Sequence, residues 1–353
     1  MRKSPDYSLI LIILALGAIS LLILYSLNKN LALNQLFFWV IGLSVLAAVS
    51  FFNSQNWQNI AVPFYILVLF LLISLFFIAE PVRGSIRWID LGFFRFQPSE
   101  IAKVVSILIL SSYFQKKSAS QFKYLLGGFL LILPFFVLVF FQPDIGNSLL
   151  FLVIFLGIAV VSGLKIRTLF FLFILFLILS LTIFRFLAPY QKERLYSFIN
   201  PTADPLGTGY SLIQSKIAVG SGQFLGRGLG RGTQSQLEFL PETESDFIFA
   251  SVAEQLGFLG AGVVIMLYSL LFVKLISLSK NTDRFAQLIL SGSITYLFFQ
   301  FAINIGMNLG LLPVTGITLP FFSYGGSSLI SILFLIGVIQ SFKKTPTFMS
   351  EMN

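Results

Sequence analysis

The sequence predicts an all-α polytopic membrane protein of about ten transmembrane helices, with a large extracytoplasmic loop between helices 7 and 8. Three observations predict it. Hydrophobic residues make up 57% of the 353-residue chain and charged residues only 10%, against about 25% charged in an ordinary soluble domain. The mean hydropathy is +0.92. The apolar residues fall in continuous runs rather than in the alternating pattern of a transmembrane β-barrel.

The runs lie near residues 7–27, 34–52, 60–79, 99–115, 124–141, 147–164, 168–189, 248–274, 286–308 and 325–342. Each is close to the roughly twenty residues that a bilayer requires of a helix. The first follows "MRKSPDY" and is too long for the apolar region of a signal peptide. Further spans follow it, so it reads as a retained helix. The fourth begins with charged residues, and the eighth is long enough to tilt or break. Arg2, Lys3, Lys116, Lys117, Lys123, Lys165, Arg167, Lys274, Lys280, Arg284, Lys343 and Lys344 gather at one set of segment ends, opposed by Asp6, Asp283 and Glu351. This asymmetry places both termini in the cytoplasm. Most acids, among them Glu80, Asp90, Asp144, Glu193 and Asp204, fall on the other side. The net charge of +9 therefore reflects topology and anionic headgroups, and no basic stripe points to nucleic acid. Residues 1–353 read as one transmembrane domain, with 190–247 as its long outer loop.

The chain has no cysteine and no histidine. Disulfides, thiolate nucleophiles, Ser-His triads and the common zinc sites are thereby excluded. Acid–base chemistry is left to Asp, Glu, Lys or Tyr.

Polar groups stand out against this background. The loop "GTGYSLIQSKIAVGSGQFLGRGLGRGTQSQLEFLPETESDFIFA" is rich in glycine, which permits close backbone approach, and its N–H groups are placed either to face an anion or to form a flexible loop. It ends on Asp246 at the predicted start of a span. That carboxylate reads either as a helix N-cap or as a general base at the membrane–water boundary. In "QPSEIAKVV", Pro98 or Ser99 begins a helix, and Glu100 and Lys103 lie three apart on one face. Ionisable residues within a span are costly, so such a pair either orients the helix or borders a polar site. Arg83, Arg87 and Arg95, with Trp88 among them, serve as headgroup anchors or as bidentate phosphate ligands. Lys192 and Arg194 are similar candidates. Asp144 in "FFQPDIGNSLL" reads first as a turn or cap. "NIGMNLGLLPVTGITLPFFSYGGSSL", which contains Ser323 and Ser327, interrupts two apolar helices. Irregular backbone at that depth requires cover from protein or a water-filled cavity.

Taken together, "RGSIRWIDLGFFRFQPSEIAKV", "QPDIGNSLL", "GSGQFLGRGLGRGTQSQLEFLPETESDFIFA" and "GLLPVTGITLPFFSYGGSSL" resemble, in order, the signature segments of the SEDS proteins (shape, elongation, division and sporulation). "GTQSQLEFLPE" is closer to the RodA elongation branch than to the FtsW division branch. Ser245, Asn308 and Thr318 depart from the usual residues. The resemblance implies a bacterial peptidoglycan glycosyltransferase that polymerises lipid II on the outer face of the cytoplasmic membrane. It implies Asp246 as the essential acid and Glu100 and Lys103 as a polar pair beside it. Arg83, Arg87, Lys192, Arg194, Gln97, Ser99, Asp144, Ser323 and Ser327 become candidates to hold substrate and its diphosphate. The implied partner is a class B penicillin-binding protein, a transpeptidase. No redox or nucleotide cofactor is indicated, while a divalent cation, Mg or Mn, is compatible with the diphosphate. The rival expectations are a lipid II flippase and a non-catalytic scaffold.

Overall fold

A computed structural model describes residues 5–79, 87–90, 92, 94–186, 189–201, 204–205, 207, 209–280 and 282–342. Helices form wherever the sequence carries a long apolar run: α1 (Tyr7–Leu27), α2 (Lys29–Ser50), α3 (Ser54–Ile78), α4 (Pro98–Phe114), α5 (Phe122–Phe141), α6 (Ile145–Val161) and α7 (Ile166–Ile183). After the long loop come α11 (Ile248–Ser279), α12 (Arg284–Asn308) and α13 (Gly326–Gln340). Among the described residues, α1, α2, α3, α5, α11 and α12 are long and apolar enough to cross a membrane on their own, and α6, α13 and part of α7 are shorter apolar helices. The protein is a multi-pass, all-helical membrane protein.

Local chemistry sets several boundaries. The Asp6 side chain accepts the Leu9 N–H at 3.2 Å and caps α1. Asn28 ends α1 and caps α2 through the Asn30 N–H at 2.9 Å. Pro98 opens α4, where its missing N–H costs nothing. Between α3 and α4 the described residues form a small hairpin, β1 (Ile89–Asp90) paired antiparallel with β2 (Arg95–Phe96).

Helix α4 is buried along almost its whole length, wrapped by α3, α5, α6, α12 and α13. Small residues let neighbouring backbones close in. A Cβ on Gly337 of α13 would meet the Leu46 carbonyl and Val49 of α2 at 2.9 Å. At the bundle end away from the long loop, the Asp6 N–H donates to Gln340 Oε1 at 2.8 Å and Lys274 Nζ sits 3.1 Å from Asp6 Oδ2. These contacts tie the start of α1 to the C-terminal parts of α11 and α13.

The seventh span ends earlier than its apolar run suggested. The chain turns through a 3₁₀ segment (Phe184–Phe186) into a more polar helix, α8 (Pro189–Ile199). The loop then carries α9 (Tyr210–Ser221) and the single turn α10 (Thr233–Gln236).

The glycine-rich stretch has a structural task. Helix α11 breaks at Gly257, which has φ 67° and ψ −165°. The break exposes carbonyls above it and N–H groups below it, and the loop satisfies both. The Arg227 and Gly228 N–H groups donate to the Glu254 and Gln255 carbonyls at 2.9 and 3.0 Å. In return, Phe258 and Leu259 donate to the Gln223 and Phe224 carbonyls at 2.8 and 3.2 Å. The Gly226 N–H goes to the Gly222 carbonyl and the Gly230 N–H to Gln255 Oε1. The expectation that these N–H groups face an anion is therefore corrected: they are used within the protein, bridging a broken helix.

Candidate active site

One cavity of about 2360 Å³ opens beside α4, α5, α6 and α7, well above the few hundred to a thousand Å³ usual for a small-molecule site. Its two parts differ in chemistry. Phe129 and Phe136 of α5, Leu152 and Leu156 of α6, and Leu169 and Phe173 of α7 line a long apolar part. Arg87, Gln97, Glu100, Asp144, Asn147 and Asp246 line a polar part, with Thr315, Gly316 and Ser327 from the irregular segment that joins α12 to α13.

The first turn of α4 supplies the polar floor. Lys103 is fully buried, and its Nζ lies 2.6 Å from Glu100 Oε1 and 2.8 Å from Asn147 Oδ1. The Tyr296 ring sits 5.4 Å from the same ammonium. A lysine three residues after a glutamate meets it on one helix face, and burial forces the two charges to compensate each other. Glu100 Oε2 is buried with no hydrogen-bond partner among the described residues.

Asp144 caps α6, as the turn reading expected, and it also faces the cavity. Its Oδ1 accepts the Asn147 N–H at 3.2 Å, and its Oδ2 accepts Asn147 Nδ2 at 2.8 Å and Gln97 Nε2 at 3.5 Å. Arg87 approaches from the segment before α4. Its Nη1 stands 3.6 Å from Asp144 Oδ2, while Nε and Nη2 donate to the carbonyls of Gln142 and Pro143. The guanidinium is thus fixed against the cavity wall and half-buried.

Asp246 precedes α11 without capping it. The helix begins at Phe247 as N-cap, with no side-chain cap bond, which corrects the N-cap reading. Its peptide carbonyl accepts Asn304 Nδ2 at 3.1 Å and Asn308 Nδ2 at 3.0 Å. The turn before it is gripped by the irregular segment: the Tyr324 N–H donates to the Glu244 carbonyl at 2.8 Å, and Ser323 Oγ to the Ser245 carbonyl at 2.6 Å. The half-buried carboxyl lines the cavity beside Gly316, where an added Cβ would sit 3.6 Å from Oδ2.

Other candidates go elsewhere. Ser99 is buried in the first turn of α4, off the cavity wall. Ser323 is an internal tie, also accepting the Leu319 N–H at 2.8 Å. Ser327 lines the cavity while linking the Gln97 N–H and the Arg95 carbonyl, each at 3.0 Å. Lys192 donates to the Arg185 carbonyl at 3.2 Å and is not on the cavity wall. Arg83 and the side chain of Arg194 lie outside the described residues. Sequence reasoning did not single out Asn147, Asn304 or the anchoring role of Asn308. A signal was present: two asparagines one turn apart at the end of an apolar helix are expensive in a membrane unless they bond something. As for a divalent cation, among the described residues no three acidic, His or Cys groups converge, and Asp144 is already surrounded by donors.

The comparisons agree with this architecture. The family model for FtsW, RodA and SpoVE, described as cell cycle protein, matches residues 6–347. The peptidoglycan glycosyltransferase MrdB of Escherichia coli K12 is 36% identical over 346 residues, covering 95% of this chain and 92% of its own length. The probable peptidoglycan glycosyltransferase FtsW of Wigglesworthia glossinidia brevipalpis is 38% identical over 279 residues, covering 77% and 72%. A chain from a peptidoglycan synthase complex that coordinates polymerization and crosslinking superposes with a TM-score of 0.84 at 33% identity, covering 96% of this chain and 98% of that one.

Proposed function

The chain belongs to the FtsW/RodA/SpoVE family of cell cycle proteins, and from that premise we propose that it is a peptidoglycan glycosyltransferase that polymerises lipid II during cell elongation. The observation that carries the reading is the two-part cavity: an apolar trough between α5, α6 and α7 that meets a polar chamber lined by Arg87, Glu100, Asp144 and Asp246. Lipid II has matching parts, a polyprenyl tail, a diphosphate and a sugar–peptide head.

In the reaction, the 4-hydroxyl of the acceptor sugar attacks C1 of the donor sugar. The C1–O bond to the lipid diphosphate breaks, and Asp246 takes the proton of the attacking hydroxyl. One displacement inverts C1, turning an α-linked donor into a β-linked product. Arg87 stabilises the departing diphosphate, its guanidinium already oriented by Asp144 and two carbonyls. The Glu100–Lys103 pair with Asn147 keeps the chamber floor polar and fixed. The active site faces the outer side of a bacterial cytoplasmic membrane, with both termini in the cytoplasm, in keeping with the distribution of basic residues. The elongation assignment rests on "GTQSQLEFLPE", and the partner it carries is a class B penicillin-binding protein.

The test is polymerisation of labelled lipid II by the purified chain, alone and with the transpeptidase. Glycan strands are expected. Translocation of lipid II across liposomes without polymer would replace the reading with a flippase, and inactivity in both settings would replace it with a scaffold.

A further inference from the structure

In a regular helix the carbonyl of residue i accepts the N–H of residue i+4. For the start of α11 that bond would join the Asp246 carbonyl to the Ala250 N–H. It is not made. The Ala250 N–H donates instead to Asn308 Oδ1 at 2.9 Å, and the Asp246 carbonyl receives Asn308 Nδ2 at 3.0 Å. The carboxamide of Asn308 is inserted into the bond, its oxygen toward one end and its nitrogen toward the other. This orientation is dictated, because an N–H can only donate and a carbonyl can only accept. The next bond, from the Ser251 N–H to the Phe247 carbonyl at 3.2 Å, is the ordinary helical one. The helix therefore begins one residue after the acid.

The insert is itself held. Asn308 is fully buried, and its Nδ2 also meets the Asn304 carbonyl at 2.8 Å. Ser215 of α9 donates its hydroxyl to the Asn308 carbonyl at 2.8 Å. Asn304 adds a second donor to the Asp246 carbonyl and binds the Ile317 carbonyl at 2.9 Å, next to Gly316. Two walls of the cavity are thus fastened to one peptide group.

We propose that Asn308 is a positioning residue for Asp246: its inserted carboxamide stops α11 short of the acid and keeps the Asp246 carboxyl turned into the cavity. A side chain inserted into the helical ladder is a recognised cause of local unwinding. Without it, the direct bond closes, Asp246 joins the first turn, and its carboxyl follows the new backbone direction. The inference rests on the reading of Asp246 as the base.

The test is steady-state polymerisation by the full chain with labelled lipid II, comparing Asn308→Leu and Asn308→Ser with wild type. Leucine keeps the branched skeleton without an amide, and serine cannot bridge both groups. The expected result is a fall in kcat of about tenfold to a hundredfold, the scale of a misplaced reacting group, with KM for lipid II close to wild type. A purely structural role would lower the amount of folded protein and leave kcat per folded molecule unchanged. If the leucine variant does not fold, the serine variant decides. Wild-type kcat in a folded variant, or a loss confined to KM, overturns the proposal. Asp246→Asn run alongside separates the two readings: a silent Asp246→Asn with an unaffected Asn308→Ser sinks only this inference, whereas an active Asp246→Asn removes the base it serves.

Discussion

Glu100 at the start of α4 and Asp246 before α11 line the same cavity, and the protein holds them by opposite means. Glu100 is held through its side chain: a lysine buried to zero exposure sits 2.6 Å from one carboxylate oxygen, on a helix enclosed by five others. Asp246 is held through its backbone, by two asparagines on its carbonyl and by hydroxyl and N–H donors on the carbonyls just before it. The difference separates two jobs. A carboxylate held by a buried ammonium is a structural fixture, since moving either group leaves the other buried and uncompensated. An acid anchored through its peptide keeps its position whatever the protonation of its carboxyl, which is what a group that gains and loses a proton requires.

Variants at three sites, one of them also combined with a second substitution, sharpen this contrast. The largest effect on stability is expected from Lys103→Met, which leaves the Glu100 charge buried and uncompensated. Removing one partner of such a pair costs about 3–5 kcal/mol, read as a lower unfolding midpoint in detergent. Adding Glu100→Gln to it should recover most of that loss, because no buried charge remains. If the double variant is as unstable as the two singles combined, the pair is not coupled.

A smaller effect is expected at the break in α11, the helix that follows Asp246. Gly257 has positive φ, and a Cβ there would run into the backbone of Phe224, Leu225 and Gly226. Gly257→Ala should cost about 1–3 kcal/mol and loosen the glycine-rich loop from α11. Limited proteolysis between Gly222 and Gly232 should quicken in this variant and stay unchanged in Lys103→Met. The smallest effect concerns Arg87→Lys. The ammonium keeps the charge but not the fork that binds the Gln142 and Pro143 carbonyls while facing Asp144. A rise in KM for lipid II of about tenfold, with little change in melting, is the expected outcome.

Each of the ten apolar runs gave a helix among the described residues, because continuous hydrophobicity in a run of that length is enough to mark one. Even α4, with two charges in its first turns, read correctly, since Glu100 and Lys103 share a face. The helices of the long loop were not legible: α8 is polar, α9 is bordered by glycines, and α10 is one turn capped from afar by Glu254, whose oxygens accept the Gln234 and Ser235 N–H groups at 2.8 and 3.0 Å. The break at Gly257 was foreseen only as the excess length of its span. Its partners lie some thirty residues upstream, and no local pattern reports them. The cavity's polar wall was legible in its members but not its pairings. Arg87 meets Asp144 across 57 positions, and Asn308 meets Asp246 across 62.

The central claim is that the acid before α11 performs chemistry while the pair on α4 maintains the chamber. It is tested most directly by single-turnover polymerisation of labelled lipid II by Asp246→Asn, with its melting curve recorded on the same preparation. The account predicts a rate lowered by about 10² to 10⁴, the range for loss of a general base, with melting like that of wild type. An Asp246→Asn protein that builds glycan at close to the wild-type rate would contradict it.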